Sequence, residues 1–144
     1  MKIIDFIKDN AKFHSFMTYN NSMKSFDIEP YKETHPGVYF IVCDDCIQKV
    51  GKAEGKYGLK GRMSQYTGNK VKTFQNDKTD VLWNSVMTNE LKNKKLEMYV
   101  LPTEPIIFKF LGIEVEGMIA RSLEKKLSIL AREQDHPMLL SRGN

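Results

Sequence analysis

The chain has 144 residues, 28% of them charged and 41% hydrophobic, with a formal net charge of +4 and a sequence pI of about 9.0. That length suits one domain with a modest core, and the positive balance favours an anionic partner. No apolar run approaches the roughly 18 residues of a membrane span, and the short patch from Ile3 to Ile7, interrupted by Asp5, is too brief and too acidic for a secretory signal, so an intracellular protein is expected.

In residues 1 to about 24, Ile3, Ile4, Phe6, Ile7, Phe13, Phe16 and Met17 recur at spacings of three and four. This predicts one or two helices, a helical extension over residues 1–30 packed on a main domain over 31–144. Pro30 and Pro36 mark a linker into that domain.

Two runs rich in Val, Ile and aromatics, residues 38–43 and 47–50, flank Asp44-Asp45 and predict a β-hairpin. Side chains alternate faces along a strand, so the loop length decides which residues share a face. A two-residue loop, Asp44-Asp45, sets Tyr39 and Lys49 on opposite faces. A three-residue loop, Asp44 to Cys46, pairs Ile41 with Lys49 and makes Tyr39 and Lys49 diagonal neighbours. Cys43 and Cys46 form the chain's C-x-x-C, but His14, His35 and His136 are scattered. A structural zinc site takes four ligands, so two reduced cysteines are the expectation.

A glycine-punctuated basic segment follows: Lys49, Lys52, Lys56, Lys60, Arg62, Lys70 and Lys72, opposed only by Glu54. Within it Leu59, Met63 and Tyr66 fall at helical spacing, and Arg62 and Tyr66, four apart, share a side of that helix. Val81, Leu82, Val86 and Met87 predict a second helix from about Thr79 to Leu91. Residues 96–101 predict a third strand, closed by Pro102 and Pro105. A last helix is expected from about Ile113 to Arg132, with Val115, Ile119, Leu123, Leu127 and Leu130 in one stripe, Glu116 within its arc and Glu124 at its border. An irregular tail ends the chain. These elements make an α/β (α+β) domain with a small three-stranded, mainly antiparallel sheet flanked by helices.

Gly37-Val38-Tyr39, then Lys49-Val50-Gly51, then Arg62 and Tyr66, resemble the core of the GIY-YIG nuclease superfamily. Lys49 stands where most members carry tyrosine, as in phage, viral and restriction-type branches. Leu123-Glu124 with Leu127 and Ile129 resembles the context of the family's metal-binding glutamate, and Pro137 and Asn144 resemble its closing residues at a longer spacing. The resemblance implies a divalent-metal-dependent endonuclease hydrolysing DNA, with Tyr39, Lys49, Arg62, Tyr66 and Glu124 as catalytic residues. Glu124, or alternatively Glu116, would hold Mg2+ or Mn2+. It also requires the odd hairpin parity, because Tyr39 and Lys49 must share a site.

Phosphodiester hydrolysis needs an activated water, charge stabilisation on the phosphorus oxygens and a neutralised leaving oxygen. A carboxylate-held divalent ion, a bidentate arginine and a proton-relaying tyrosine or lysine supply these. Lys52, Lys56, Lys60, Lys70, Lys72 and Asn144 are the expected DNA contacts, and a homodimer is compatible with so compact a member. The alternative is a non-catalytic nucleic-acid-binding module that keeps the same fold.

Overall fold

Residues Gly37–Cys43 read GVYFIVC, a run with no polar position to turn toward water, and every one of them is buried. Such a strand belongs in the interior of a sheet covered on both faces. The computed structural model describes residues 2–67, 77–133 and 137–141. In chain order it contains α1 (Ile3–Asn10), β1 (Lys12–Asn20), β2 (Ser25–Ile28), β3 (Gly37–Cys43), β4 (Cys46–Ala53), α2 (Gly58–Gln65), α3 (Asp77–Thr88), β5 (Leu96–Pro102), β6 (Ile106–Phe110), β7 (Ile113–Gly117) and α4 (Ile119–Arg132).

Among the described residues, five strands form one sheet in the order β2-β1-β5-β3-β4, and every neighbouring pair is antiparallel. The odd positions of β3, Tyr39, Ile41 and Cys43, share a core with Leu59 and Met63 of α2 and Trp83, Val86 and Met87 of α3. The even positions, Val38, Phe40 and Val42, pack with Ile3 and Ile7 of α1 and Ala120, Leu127 and Ala131 of α4. Helices therefore cover both faces, α2 and α3 on one and α1 and α4 on the other.

The α/β class with an antiparallel sheet and flanking helices is as expected; among the described residues the main sheet has five strands instead of three, and β6 and β7 pair apart from it. The expected helices over residues 1–24 are realised only in α1, and residues 12–20 and 25–28 are strands of the main sheet. The physical reason is a bulge. The register of β1 on β5 slips between Phe13 and Ser15, so Phe13 lies opposite Tyr99 and Phe16 opposite Glu97, on one face of the sheet. A bulge spaces same-face residues by three, which mimics a helical period.

The expected last helix is likewise split. Ile113 and Val115 pair across a tight turn with Phe110 and Phe108, so Glu116 stands on a strand, exposed, and outside any helical arc. α4 buries Ala120, Leu127, Ser128 and Ala131, while Leu130 faces outward.

The tail is irregular yet fixed. The Leu140 amide donates to the Gln48 carbonyl at 3.0 Å, and the Leu139 amide to Gln48 Oε1 at 3.3 Å. Met138 joins the α1/α4 layer and Leu140 the α2/α3 layer. This segment thereby straps the free edge of β4, the kind of edge that otherwise invites foreign strands.

Candidate functional site

The β3–β4 hairpin turns on Asp44 and Asp45, at φ 50° and 61°, a left-handed pair suited to a type I′ turn. Cys43 accordingly faces Cys46, and Val42 faces Ile47. The three-residue loop does not form. Continued unbroken, this register would set Lys49 opposite Phe40, on the wrong face for Tyr39. Instead the register shifts between Ile41 and Val42: Gln48 is the extra residue, Ile41 lies opposite Lys49, and Tyr39 lies opposite Gly51. The bulge restores the odd parity, so Tyr39 and Lys49 share the α2/α3 face of the sheet as diagonal neighbours.

Gly51 is a glycine because Tyr39 lies on it. A Cβ there would fall within the Tyr39 ring, against Cζ and the hydroxyl oxygen. The ring thus lies across β4 and sends its hydroxyl to the Tyr66 hydroxyl, 2.8 Å away. Tyr66 follows directly on α2, whose start is anchored by the preceding linker. The amides of Leu59 and Lys60 donate to the carbonyls of His35 and Glu33 at 3.0 and 3.1 Å. Gly58 allows this approach with φ +50, since a Cβ would strike the carbonyl oxygens of Thr34 and His35.

Tyr66 stacks on Trp83 with ring centroids 4.9 Å apart and planes 7° from parallel. Trp83 Nε1 donates to the Leu140 carbonyl at 2.8 Å, so the tail strap holds the indole. The Lys49 ammonium lies over the same indole, 5.9 Å from its centroid. Arg62, one turn before Tyr66, donates to Gln65 Oε1 at 2.7 Å. The structure thus gathers Tyr39, Lys49 and Tyr66 around Trp83, with Arg62 close enough for its charge to act on Tyr66.

Trp83 was not among the residues singled out from sequence, although it stands at spacings of three and four from Val86 and Met87, a signal that places it on their helix face.

Tyr39 and Tyr66 are 2% and 1% exposed. Burial, the neighbouring Tyr39 and the hydrogen bond to it push the Tyr66 hydroxyl well above its ordinary value of 10.0, against an opposing pull from Arg62. Below pH 10 the folded and unfolded chains both hold this proton; above it the unfolded chain releases it first. The stabilisation linked to Tyr66 is therefore lost as pH rises from 10 toward the folded value. Tyr66→Phe is expected to flatten the decline of Tm above pH 10, and equal slopes in the two proteins would refute this assignment.

The other expected site residues lie elsewhere. Lys52 is on the opposite sheet face from Lys49, beside Glu54 at 3.6 Å, and Glu54 also meets Arg121 of α4 at 3.4 Å. Lys56 and Lys60 are exposed around the start of α2, with the Lys56 ammonium 5.6 Å from the centroid of the exposed Tyr57 ring. Glu124 is half-buried on α4, and its hydrogen bond comes from Ser128 Oγ at 3.3 Å. No hydrogen bond or ion pair among the described residues joins it to Tyr39, Lys49 or Arg62. Lys70, Lys72 and Asn144 lie outside the described residues. Cys43 and Cys46 are free thiols, and burial raises the Cys43 thiol, as does the neighbouring Asp44.

Two solved structures share this architecture. Bacteriophage T4 EndoII, solved as a glutamate-to-alanine mutant, matches with a TM-score of 0.62 at 12% identity over 96% of this chain and 98% of its own. Restriction endonuclease HPY188I, solved in complex with product DNA, matches with a TM-score of 0.50 at 20% identity over 90% of this chain and 83% of its own. At these identities the likeness is one of fold. No protein-family model matches the chain, and no curated protein matches it by sequence.

Proposed function

We propose that this protein is a divalent-metal-dependent endonuclease of GIY-YIG type that hydrolyses DNA phosphodiester bonds. The observation that carries this reading is the Tyr39–Tyr66 hydroxyl pair, 2.8 Å apart, on the sheet face that also presents Lys49. The fold shared with an endonuclease that was solved with its product DNA supports the substrate class.

In this reading Tyr66 keeps its proton, because burial opposes its anion, and donates to the Tyr39 oxygen. Tyr39, acting as the tyrosinate after releasing its own proton to solvent, takes the proton of the attacking water and returns to the phenol. The Lys49 ammonium holds a phosphate oxygen, and the Arg62 fork holds two. Lys56 and Lys60, exposed near the start of α2, steer the strand.

Glu124 is the residue that would hold magnesium or manganese, a hard cation that needs only one or two protein carboxylates. Among the described residues no three His, Cys, Asp or Glu side chains converge as an all-protein cage, whereas the half-buried Glu124 carboxylate has only Ser128 on one oxygen. When bound, such an ion would supply Lewis-acid neutralisation of charge on the phosphate and leaving oxygens.

The near-complete burial of both tyrosines favours a second reading, a nucleic-acid-binding module in which the pair merely fastens α2 to the sheet. Plasmid cleavage by the purified chain separates the two. Magnesium-dependent nicking or linearisation, stopped by EDTA, is expected; DNA binding without cleavage in either magnesium or manganese selects the module.

In the same assay Arg62→Lys is expected to lose roughly 10²-fold in rate, because an ammonium cannot reproduce the planar fork. Activity within a few-fold of wild type would make Arg62 a point charge or place it outside the site.

A further inference from the structure

β6 and β7 form a two-stranded ribbon separate from the main sheet. Its register puts Ile106, Phe108 and Phe110 on one face with Ile113 and Val115, while Ile107 and Lys109 lie on the other face opposite Glu116 and Glu114. The first face is wholly apolar, yet its side chains are exposed: Ile106 51%, Phe108 50%, Phe110 67%, Ile113 65% and Val115 40%. None of them belongs to either core cluster. The tip repeats the oddity. Leu111 and Gly112 make the turn at φ 54° and 77°, and Leu111 is 87% exposed. Leucine in that left-handed position is strained where Asn, Asp or Gly would relax it; the same chain uses Asp44-Asp45 for the tight turn between β3 and β4.

An isolated two-stranded ribbon is marginal in water, and its stability requires cover on the apolar face. We propose that the cover is the same ribbon of a second copy of this chain, the two apolar faces stacked across a two-fold axis. Three observations select that occupant. The face carries no charge or hydrogen-bonding side chain, so it is its own complement, as an isologous contact requires.

Residues 104–117 carry Glu104, Glu114 and Glu116 against Lys109 alone, on a chain of net charge +4. This acidic arm repels the phosphates that a basic DNA-binding surface attracts. Finally, with a full aromatic side chain contributing roughly 150–250 Å², the half-exposed face offers on the order of 500 Å² per copy. Two copies together then bury about 1,000 Å², where specific interfaces begin. Stacked ribbons leave Lys109, Glu114 and Glu116 on the outer, wet faces, the ordinary arrangement of packed β layers.

Sedimentation velocity of the full chain, without DNA or divalent metal, tests this independently of the nuclease reading. A concentration-dependent dimer is expected at micromolar protein, undiminished in high salt because its contact is apolar. Phe108→Glu with Phe110→Glu is expected to sediment as a monomer, with the circular dichroism and thermal transition of the main domain unchanged. If that double variant misfolds, Ile113→Ser provides the same readout, with a dimer dissociation constant raised roughly tenfold or more. A monomeric wild type overturns the proposal. So does a dimer that survives these substitutions or dissolves in salt. A monomeric wild type whose duplex binding is lost in the double variant assigns the face to DNA instead.

Discussion

Glu124→Ala is expected to abolish DNA cleavage while leaving DNA affinity near that of wild type. The carboxylate would hold a divalent ion and make little direct contact with phosphate, so its removal acts on the transition state and not on binding. Loss of one preorganised electrostatic group of this kind lowers rates by on the order of 10²–10³-fold.

The geometry makes the result informative. α4 packs on the sheet face opposite Tyr39, and β4, the edge strand, separates Glu124 from Lys49, so the variant tests whether a group on that face takes part in the reaction at all. Cleavage rates in magnesium, with affinity measured by fluorescence anisotropy in calcium, separate the two effects. Glu116→Ala is the control: Glu116 is exposed on the polar face of the β6–β7 ribbon and its loss is expected to be silent. A Glu124→Ala protein that cleaves normally would place the metal elsewhere or remove it from the mechanism.

Gly51→Ala is expected to cost both stability and activity. The new methyl would occupy the volume of the Tyr39 ring, which is nearly fully buried and cannot swing into solvent. Relief requires that the ring leave its place over β4, breaking the 2.8 Å bond to Tyr66 and loosening the Tyr66–Trp83 stack.

Overpacking of this kind costs about 1–3 kcal/mol, and in a domain of this size that lowers Tm by roughly 3–12 °C. If Tyr39 is the base, the surviving folded protein also loses most of its cleavage rate, because the reacting oxygen has moved. A variant with wild-type Tm would show that the ring has room which the structure does not reveal. A destabilised variant with full activity would remove Tyr39 from the chemistry while leaving its packing role.

What the amino-acid sequence determined on its own was local. The unbroken apolar run of β3 required cover on two faces, Asp44-Asp45 required a tight turn, and the four-residue interval from Arg62 to Tyr66 required a shared helical side; each depends on near neighbours in the chain. Helix α3 and strand β5 were legible for the same reason, to within a few residues at their ends.

The tertiary structure decided the parity of the strands. A bulge exists only against a partner strand: the slip before Ser15 turned an apparent helical period into β1, and the slip at Gln48 brought Lys49 to Tyr39 although the turn has two residues. Partner surfaces likewise decided that Trp83 would be held between Tyr66 and the tail strap, that Glu116 would join a strand pair, and that Glu124 would sit across the sheet from the tyrosines. A carboxylate at the border of an apolar stripe looks the same in sequence whichever face of the sheet its helix covers, because the pairing energy that chooses the face comes from residues far away along the chain.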